Sequence, residues 1–456
     1  LQDHLVTFSV FLLLAFLFLN GAAFAGPIQN ASGAGSKPLG GKRLDSSTAG
    51  SLSSSAYQFR YRQVVTKLIN PAGGASAHFG ASVVIDGDTI WIGAPGDDTA
   101  GANAGAVYGF SKDGRGWRLG EMLSPNDTGP GQAFGSSLAL DTADPGTLVV
   151  GSPGDSEVSS EGGAVYTFVR DHFGAWVQEE KHTVAGIPAG SRLGTALDID
   201  SEIIVAGAPY ESNALGAGVG NAYVFERDRD SQWQFAEKLT PGFASTEAGF
   251  GMSVDVDGDQ VILGAPYPGS ELIAGSAFIF IRAGENGWFQ RQELQSPSSE
   301  EGDHFGSGVA LYGELAAVGS PRDGTAPDSG TPFGHVATFM DSYEVKAQLG
   351  GWYAVEEFTA PGPKPEDRFG GEILFHNDRL LVGATNSAGK GAAYLYELDE
   401  NGETRFMAKI ASPDGDGTDQ FGSSMAMDED TIVLGAYMQD VFAEDDGAVY
   451  VVKLIK

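Results

Sequence analysis

The chain contains no cysteine among its 456 residues. Disulfides, thiolate nucleophiles and cysteine-bound metals are therefore excluded, and stability must come from burial and hydrogen bonding. A chain of this length can bury enough apolar surface without cross-links. Basic residues are the second scarcity: 27 Lys and Arg stand against 60 Asp and Glu, a formal net charge of −33. Residues 1–56 hold three basic and two acidic residues, so 57–456 carry −34. A surface of that sign repels nucleic acid and anionic membranes, and neither is expected as a partner. Histidine is sparse too. His4, His78, His172, His182, His304, His335 and His376 show neither the i, i+4 spacing of a zinc helix nor a recurring acidic neighbour. They read as structural or solvated residues.

Long apolar runs are equally few. Val6 to Leu19 forms one of 14 residues, too short for a comfortable membrane span. Ala23-Phe24-Ala25 follows it and fits a small-x-small cleavage site before Gly26. Residues 1–25 thus read as a signal peptide, with an uncleaved anchor as the alternative, and the expected destination is secretion or the extracellular surface. Residues 26–56 are rich in Ser and Gly, without periodicity, and read as a disordered linker. Ala23-Phe24-Ala25-Gly26-Pro27 also looks like the Phe-containing cleavage motif of algal plastid preproteins, which gives an alternative destination. Asn30-Ala-Ser32 and Asn126-Asp-Thr128 match the N-glycosylation pattern.

Glycine is abundant, at 66 residues, and much of it recurs in register. A Phe-Gly-type step falls at Phe79-Gly80, Phe134-Gly135, Leu193-Gly194, Phe250-Gly251, Phe305-Gly306, Phe369-Gly370 and Phe421-Gly422. Each is followed by a Gly-Ala-Pro-type step, at Gly93, Gly151, Gly207, Gly264, Gly319, Gly383 and Gly435. Six of the seven pairs are 14 residues apart and the second is 17. Successive Phe-Gly steps are separated by 52 to 64 residues, which fits a unit of four short strands with loops.

Each unit reads alike. A short apolar run such as Ser82-Val83-Val84-Ile85 meets a second, Thr89-Ile90-Trp91-Ile92, across Asp86-Gly87-Asp88. Asp-Gly between β-branched runs predicts a hairpin with a type I′ turn, both central residues at positive φ. A third strand carries Gly-Ala-Val-Tyr or a variant, and a fourth is marked by Trp117, Trp176, Trp233, Trp288 or Trp352. A four-stranded sheet cannot bury both faces alone, so seven must stack around an axis. The fold expected is all-β, a seven-bladed β-propeller of 28 antiparallel strands. The last unit, ending at Lys456, supplies only three strands, and the missing one stands at Tyr57–Pro71. The N-terminal strand should complete the seventh blade and close the ring, making 57–456 one domain. Length alone would suggest about three domains, but no linker interrupts the units.

No catalytic constellation accompanies the repeat. The densest carboxylate cluster is Asp414-Gly-Asp416-Gly-Thr-Asp419, a candidate calcium loop that lacks glycine at the sixth position. Asp141-Thr-Ala-Asp144 is a weaker one. Loop length is more informative. Connections between strands two and three and between blades are long, and strand alternation places both on one face. That face carries Asp97, Asp98, Asp155, Tyr210, Tyr267, Arg322, Asp323 and Tyr437 as candidate ligand-binding residues, with Glu157, Glu211, Glu271, Asp328, Phe333 and Glu444 to Asp446 around them.

The Phe-Gly and Gly-Ala-Pro pairing over seven units resembles the FG-GAP repeats of the integrin α-subunit headpiece, and still more their compact bacterial and algal relatives. Kelch repeats share Gly162-Gly163, Tyr166 and Trp176, but not the recurring pair. The resemblance implies a propeller used in adhesion. Integrin-type repeats also carry an Asp-x-Asp-x-Asp-Gly-x-x-Asp calcium loop between the first two strands. Here that connection is a short turn, and two or three carboxylates fall below the six to eight oxygens calcium takes. The expectation is therefore a monomeric, non-enzymatic module without a cofactor, binding an extracellular protein or glycan through its long-loop face. A carbohydrate-active enzyme with acidic residues across the central channel is one alternative, and a cation-dependent matrix element is another.

Overall fold

The computed structural model describes residues 61–455 apart from 144–145, 243, 268–273, 285–286, 299–301, 323–332, 343–349, 365, 400 and 416–417. The expected signal peptide and linker lie outside these residues. The described strands form seven four-stranded antiparallel sheets, the blades of a β-propeller, and six take their strands in chain order from axis to rim. Innermost are Ser82–Asp86, Leu138–Asp141, Leu197–Asp200, Val254–Asp257, Val309–Tyr312, Phe369–His376 and Met425–Asp428, one for each of blades 1 to 7. The seventh blade is the exception in chain order. Its rim strand is Arg62–Ile69, paired antiparallel with Ala448–Ile455 from Arg62↔Ile455 to Ile69↔Ala448. The two ends of the domain thus close the ring, and blade 7 has no missing strand.

The repeat has a steric cause. The Gly-Ala-Pro glycine of each blade abuts the Phe-Gly glycine of the next: a Cβ on Gly93, Gly151, Gly207, Gly264, Gly319, Gly383 or Gly435 would lie 1.9–2.4 Å from that neighbour's carbonyl oxygen. Gly435 meets Gly80, which joins blade 7 to blade 1. The Phe-Gly glycines also need φ of 84–96°, a region open to glycine but costly for other residues. Within a blade the two steps meet by hydrogen bonding, as in Gly80 N to Gly93 O at 2.9 Å and Gly135 N to Gly151 O at 3.0 Å. The constant interval is the length of hairpin that brings them face to face.

The phenylalanines of the repeat are fully buried and hold neighbouring strands of their blade. Phe79 packs edge-on against Tyr108 and Phe110, Phe134 against Tyr166 and Phe168, and Phe250 against Phe278 and Phe280. A register shift between strands three and four precedes Phe110, Phe168 and Phe280, the local kink of a β-bulge. Between blades lie separate apolar clusters, such as Trp91, Val107, Phe134, Leu148 and Trp176 between blades 1 and 2.

The inner turns depart from the sequence reading. Asp86 pairs with Thr89, so the central residues are Gly87 and Asp88, and only Gly87 is at positive φ, 53°. Ser201, Gly258, Gly313, Asn377 and Glu429 repeat this in blades 3 to 7. A turn with one left-handed residue, as in type II′, replaces the expected type I′. Asp86 and its counterparts end the strand instead of entering the turn.

A Gly93→Ala substitution should destabilise the domain by about 1–3 kcal/mol, the usual range for overpacking. The neighbour is backbone and cannot rotate aside. Urea unfolding monitored by tryptophan fluorescence would show a lower midpoint, with Gly114→Ala, where an added Cβ meets nothing within 4 Å, as the neutral control.

Candidate functional site

The long-loop face is built by the loops between strands two and three and by the segments entering each blade. These segments pair by backbone hydrogen bonds across the blade boundary. Gly131 N and Phe134 N donate to Ala102 O and Ala104 O, Arg192 N donates to Glu161 O, and His78 N donates to Asp445 O. The loops are therefore cross-braces, with only part of each free to meet a ligand.

Beneath them runs a repeated polar cluster. Tyr108 donates to Asp97 Oδ2 at 2.7 Å, Tyr166 to Asp155 Oδ2 at 3.1 Å and Tyr223 to Glu211 Oε2 at 2.7 Å. Asp97, Asp155 and Glu211 are 1–2 % exposed. Two of the sequence candidates, Asp97 and Asp155, are thus consumed inside the loop bases, while Asp98 is exposed and accepts Asn103 N at 2.7 Å. The cluster is fullest in blade 2, where Lys181 Nζ lies 2.5 Å from Asp127, 2.9 Å from Asp155 and 2.7 Å from Glu157. Burial favours uncharged Asp155, but the Glu157 amide, Lys181 and Tyr166 outweigh it and hold the carboxyl below its usual range.

Blade 7 uses the same device at the candidate calcium loop. Asp414 accepts from Tyr450 and, at 2.9 Å, from Lys67. Asp419 is 4 % exposed, and Asp416 and Asp323 lie outside the described residues. No group of three or more potential ligands for a metal occurs among the described residues.

The central channel is a cavity of about 450 Å³ lined by all seven inner strands. Ser82, Ser137, Ser253 and Ser424 donate to the Phe-Gly carbonyl of the next blade at 2.8–2.9 Å. Blade 6 places Glu372 at this position, and burial pushes its carboxyl up to about 7. Two residues further along each inner strand stand Asp198 and Asp255, hydrogen-bonded to one another. Each also caps an edge amide of the following blade, Val256 N at 2.9 Å and Leu311 N at 2.5 Å. Burial and the charge of Asp198 raise Asp255 well above the carboxylate range, so the pair shares a proton. Sequence reading missed all three acids, whose signal was their inner-strand position.

The channel opens on the long-loop face among aromatic and basic side chains. The Arg192 guanidinium lies over the Tyr210 ring at 5.3 Å, and Tyr267 meets His304 edge-on at 5.3 Å. Arg322 Nη1 is 3.3 Å from His304 Nε2. His78 meets Tyr437 edge-on at 5.6 Å, and the charge of Arg368 reaches the Tyr437 phenol. Tyr267 likewise senses both Tyr210 and Arg322. The structure thus gathers the candidates Tyr210, Tyr267, Arg322 and Tyr437 and adds His78, Arg192, His304 and Arg368. The added four share one register position, immediately before the Phe-Gly step, and φ there is 53–68° in every blade. Burial, then the Arg322 charge for His304, depresses both histidines, which are neutral at neutral pH. Near His78 the charge of Asp445 offsets part of that effect.

The FG-GAP repeat family matches residues 63–110, 117–168, 233–280, 288–333 and 404–452, more than half of the chain. The chain belongs to the FG-GAP repeat family. Each matched FG-GAP unit starts in a rim strand and continues into the next blade, so it crosses a blade boundary and holds both the Phe-Gly and the Gly-Ala-Pro step of that blade. The unmatched stretches contain the units with Leu193 in place of Phe and Thr385 in place of Pro. No curated protein matches the chain. FG-GAP membership supports a binding or adhesion-type module in general.

Two outcomes follow from these clusters. Lys181→Met leaves the Asp155 carboxylate buried without its cation and should cost about 2–4 kcal/mol in chemical denaturation. For Asp255 the folded pKa exceeds the unfolded one, so its contribution is present below the unfolded pKa and is lost as pH rises. Asp255→Asn keeps an acceptor for Leu311 N and supplies a donor to Asp198. The variant should therefore gain melting temperature relative to the parent on going from pH 4 to pH 8, as read by calorimetry.

Proposed function

We propose that this FG-GAP propeller is a secreted or cell-surface, non-enzymatic binding module that takes an extracellular protein or glycan at the channel mouth of its long-loop face. The observation that carries the reading is the convergence of Tyr210, Tyr267, Arg322 and Tyr437 with His78 and His304 around that mouth. Tyr210 and Tyr267 are 47 % and 41 % exposed, large rings held still by neighbours. Rigid aromatic anchors of this kind contribute most of the binding energy at interfaces, at little cost in side-chain entropy. Secretion is supported by the apolar run at Val6 to Leu19 with its Ala23-Phe24-Ala25 end.

A carbohydrate-active enzyme is the second reading, drawn from Asp198, Asp255 and Glu372 in the channel. Hydrogen bonding puts Asp198 and Asp255 closer than the roughly 5–10 Å that separates glycosidase carboxyls, and both are engaged with edge amides. The first reading accounts for more of the site.

Arrays of extracellular glycans and surface proteins, probed with the parent and with a Tyr210→Ala/Tyr267→Ala variant, test it. The expected result is a bound ligand whose affinity falls at least about tenfold in the variant, the effect of losing an anchor of about 1.4 kcal/mol or more. Unchanged binding in the variant, or release of sugar ends from any polysaccharide on incubation, would overturn the reading.

A further inference from the structure

The register position before the Phe-Gly step reads His78, Ala133, Arg192, Gly249, His304, Arg368 and Gln420 around the ring. Four of these seven are Arg or His and none is acidic, in a chain with 60 acidic and 27 Lys or Arg residues. Arg322 adds a third guanidinium, beside His304. Five of the seven close a turn onto a channel-lining residue, as in Ala81 N to His78 O and Ser307 N to His304 O. An arc whose fixed positive charges are Arg192, Arg322 and Arg368, with the neutral rings of His78 and His304 beside them, therefore lies at the centre of one face of an acidic disc, since ring symmetry brings one position from every blade to the mouth.

We propose that this arc is an anion subsite for the carboxylate or sulfate groups of an acidic polysaccharide. The proposal rests on the reading of the long-loop face as the binding face and names the ligand chemistry. Arg322 and Arg368 are exposed and have no carboxylate partner among the described residues, and each can present a planar fork to a carboxylate or sulfate. Arg192 is held by Glu161 at 2.7 Å and serves instead to fix the Tyr210 ring. Asp445 is the acidic neighbour of His78 and Tyr437. Tyr210 and Tyr267 stand together in the arc, with Arg192 on one side and His304 and Arg322 on the other. A saccharide chain offers a partner to each kind of group, apolar pyranose faces to stack on rings and charged substituents to meet guanidinium groups. The acidic remainder of the disc weakens approach at low salt, but beyond about 8 Å it is screened at physiological ionic strength.

Calorimetric titration of the whole chain against five probes tests this: an oligogalacturonate, its carboxyl-reduced neutral counterpart, a sulfated galactan oligosaccharide, its desulfated form and a polyglutamate peptide. The parent should bind at least one charged probe tenfold or more tightly than its neutral partner. Arg322→Gln with Arg368→Gln should abolish that preference at an unchanged melting temperature, since both side chains are exposed. Equal affinity for charged and neutral probes would overturn the anion subsite while leaving the binding face standing, provided the Tyr210→Ala/Tyr267→Ala variant still lowers it. Preference retained in the arginine variant, or tighter binding of a polyglutamate peptide, would also overturn it. Binding of none of the probes would overturn it as well, and the glycan and protein arrays then decide the binding face separately.

Discussion

Seven glycine-on-glycine contacts hold the ring at its diameter. At each blade boundary the backbone of a Gly-Ala-Pro step lies where the next Phe-Gly carbonyl leaves no space for a side chain. The same carbonyl accepts the serine hydroxyl of the inner strand in four blades. Close approach at the axis in turn lets the phenylalanine behind each glycine fill its own blade, and lets the blade faces bury continuous apolar clusters. Without that approach the inner strands would separate and their edge amides would face open solvent.

The channel shows how edges are managed when a sheet ends at an axis. Inner strands present unpaired amides, and Asp198 and Asp255 cap two of them from the preceding blade. Two carboxyls brought together this way must share a proton. Glu372 is a different departure, placing a carboxyl where a serine donor would otherwise meet a carbonyl. These acids have a structural explanation in full or in part, whereas the arginines and histidines at the mouth cap no edge.

How much was legible depended on whether a feature repeats. Blade number, strand order and ring closure by Tyr57–Pro71 follow from the spacing of glycine, tryptophan and proline, because each blade obeys the same packing constraint. The inner turns were placed one residue early, since Asp86 and Gly87 look like a turn pair until the pairing of Asp86 with Thr89 is seen. Among site residues, the tyrosines and Arg322 could be found from their loop position. Asp97 and Asp155 could not be assigned a role from that position, because only the fold reveals the tyrosine hydroxyl beneath each. The basic residues before Phe-Gly were visible in the aligned units, but their meaning depends on symmetry gathering one position from each blade.

Ring closure also sets an order of events during synthesis. The partner of Arg62–Ile69 is Ala448–Ile455, and Gly80 waits for Gly435. Until some 370 further residues have been made, blade 1 therefore keeps an uncovered apolar face, and the strand Arg62–Ile69 stays unpaired. Blades 1 to 6 can stack as they emerge, each covering its predecessor, yet the growing arc stays open at its first edge. The emerging chain thus carries an adhesive strand for longer than any other part of its fold, and a chaperone or rapid later blades must shield it from a second nascent copy.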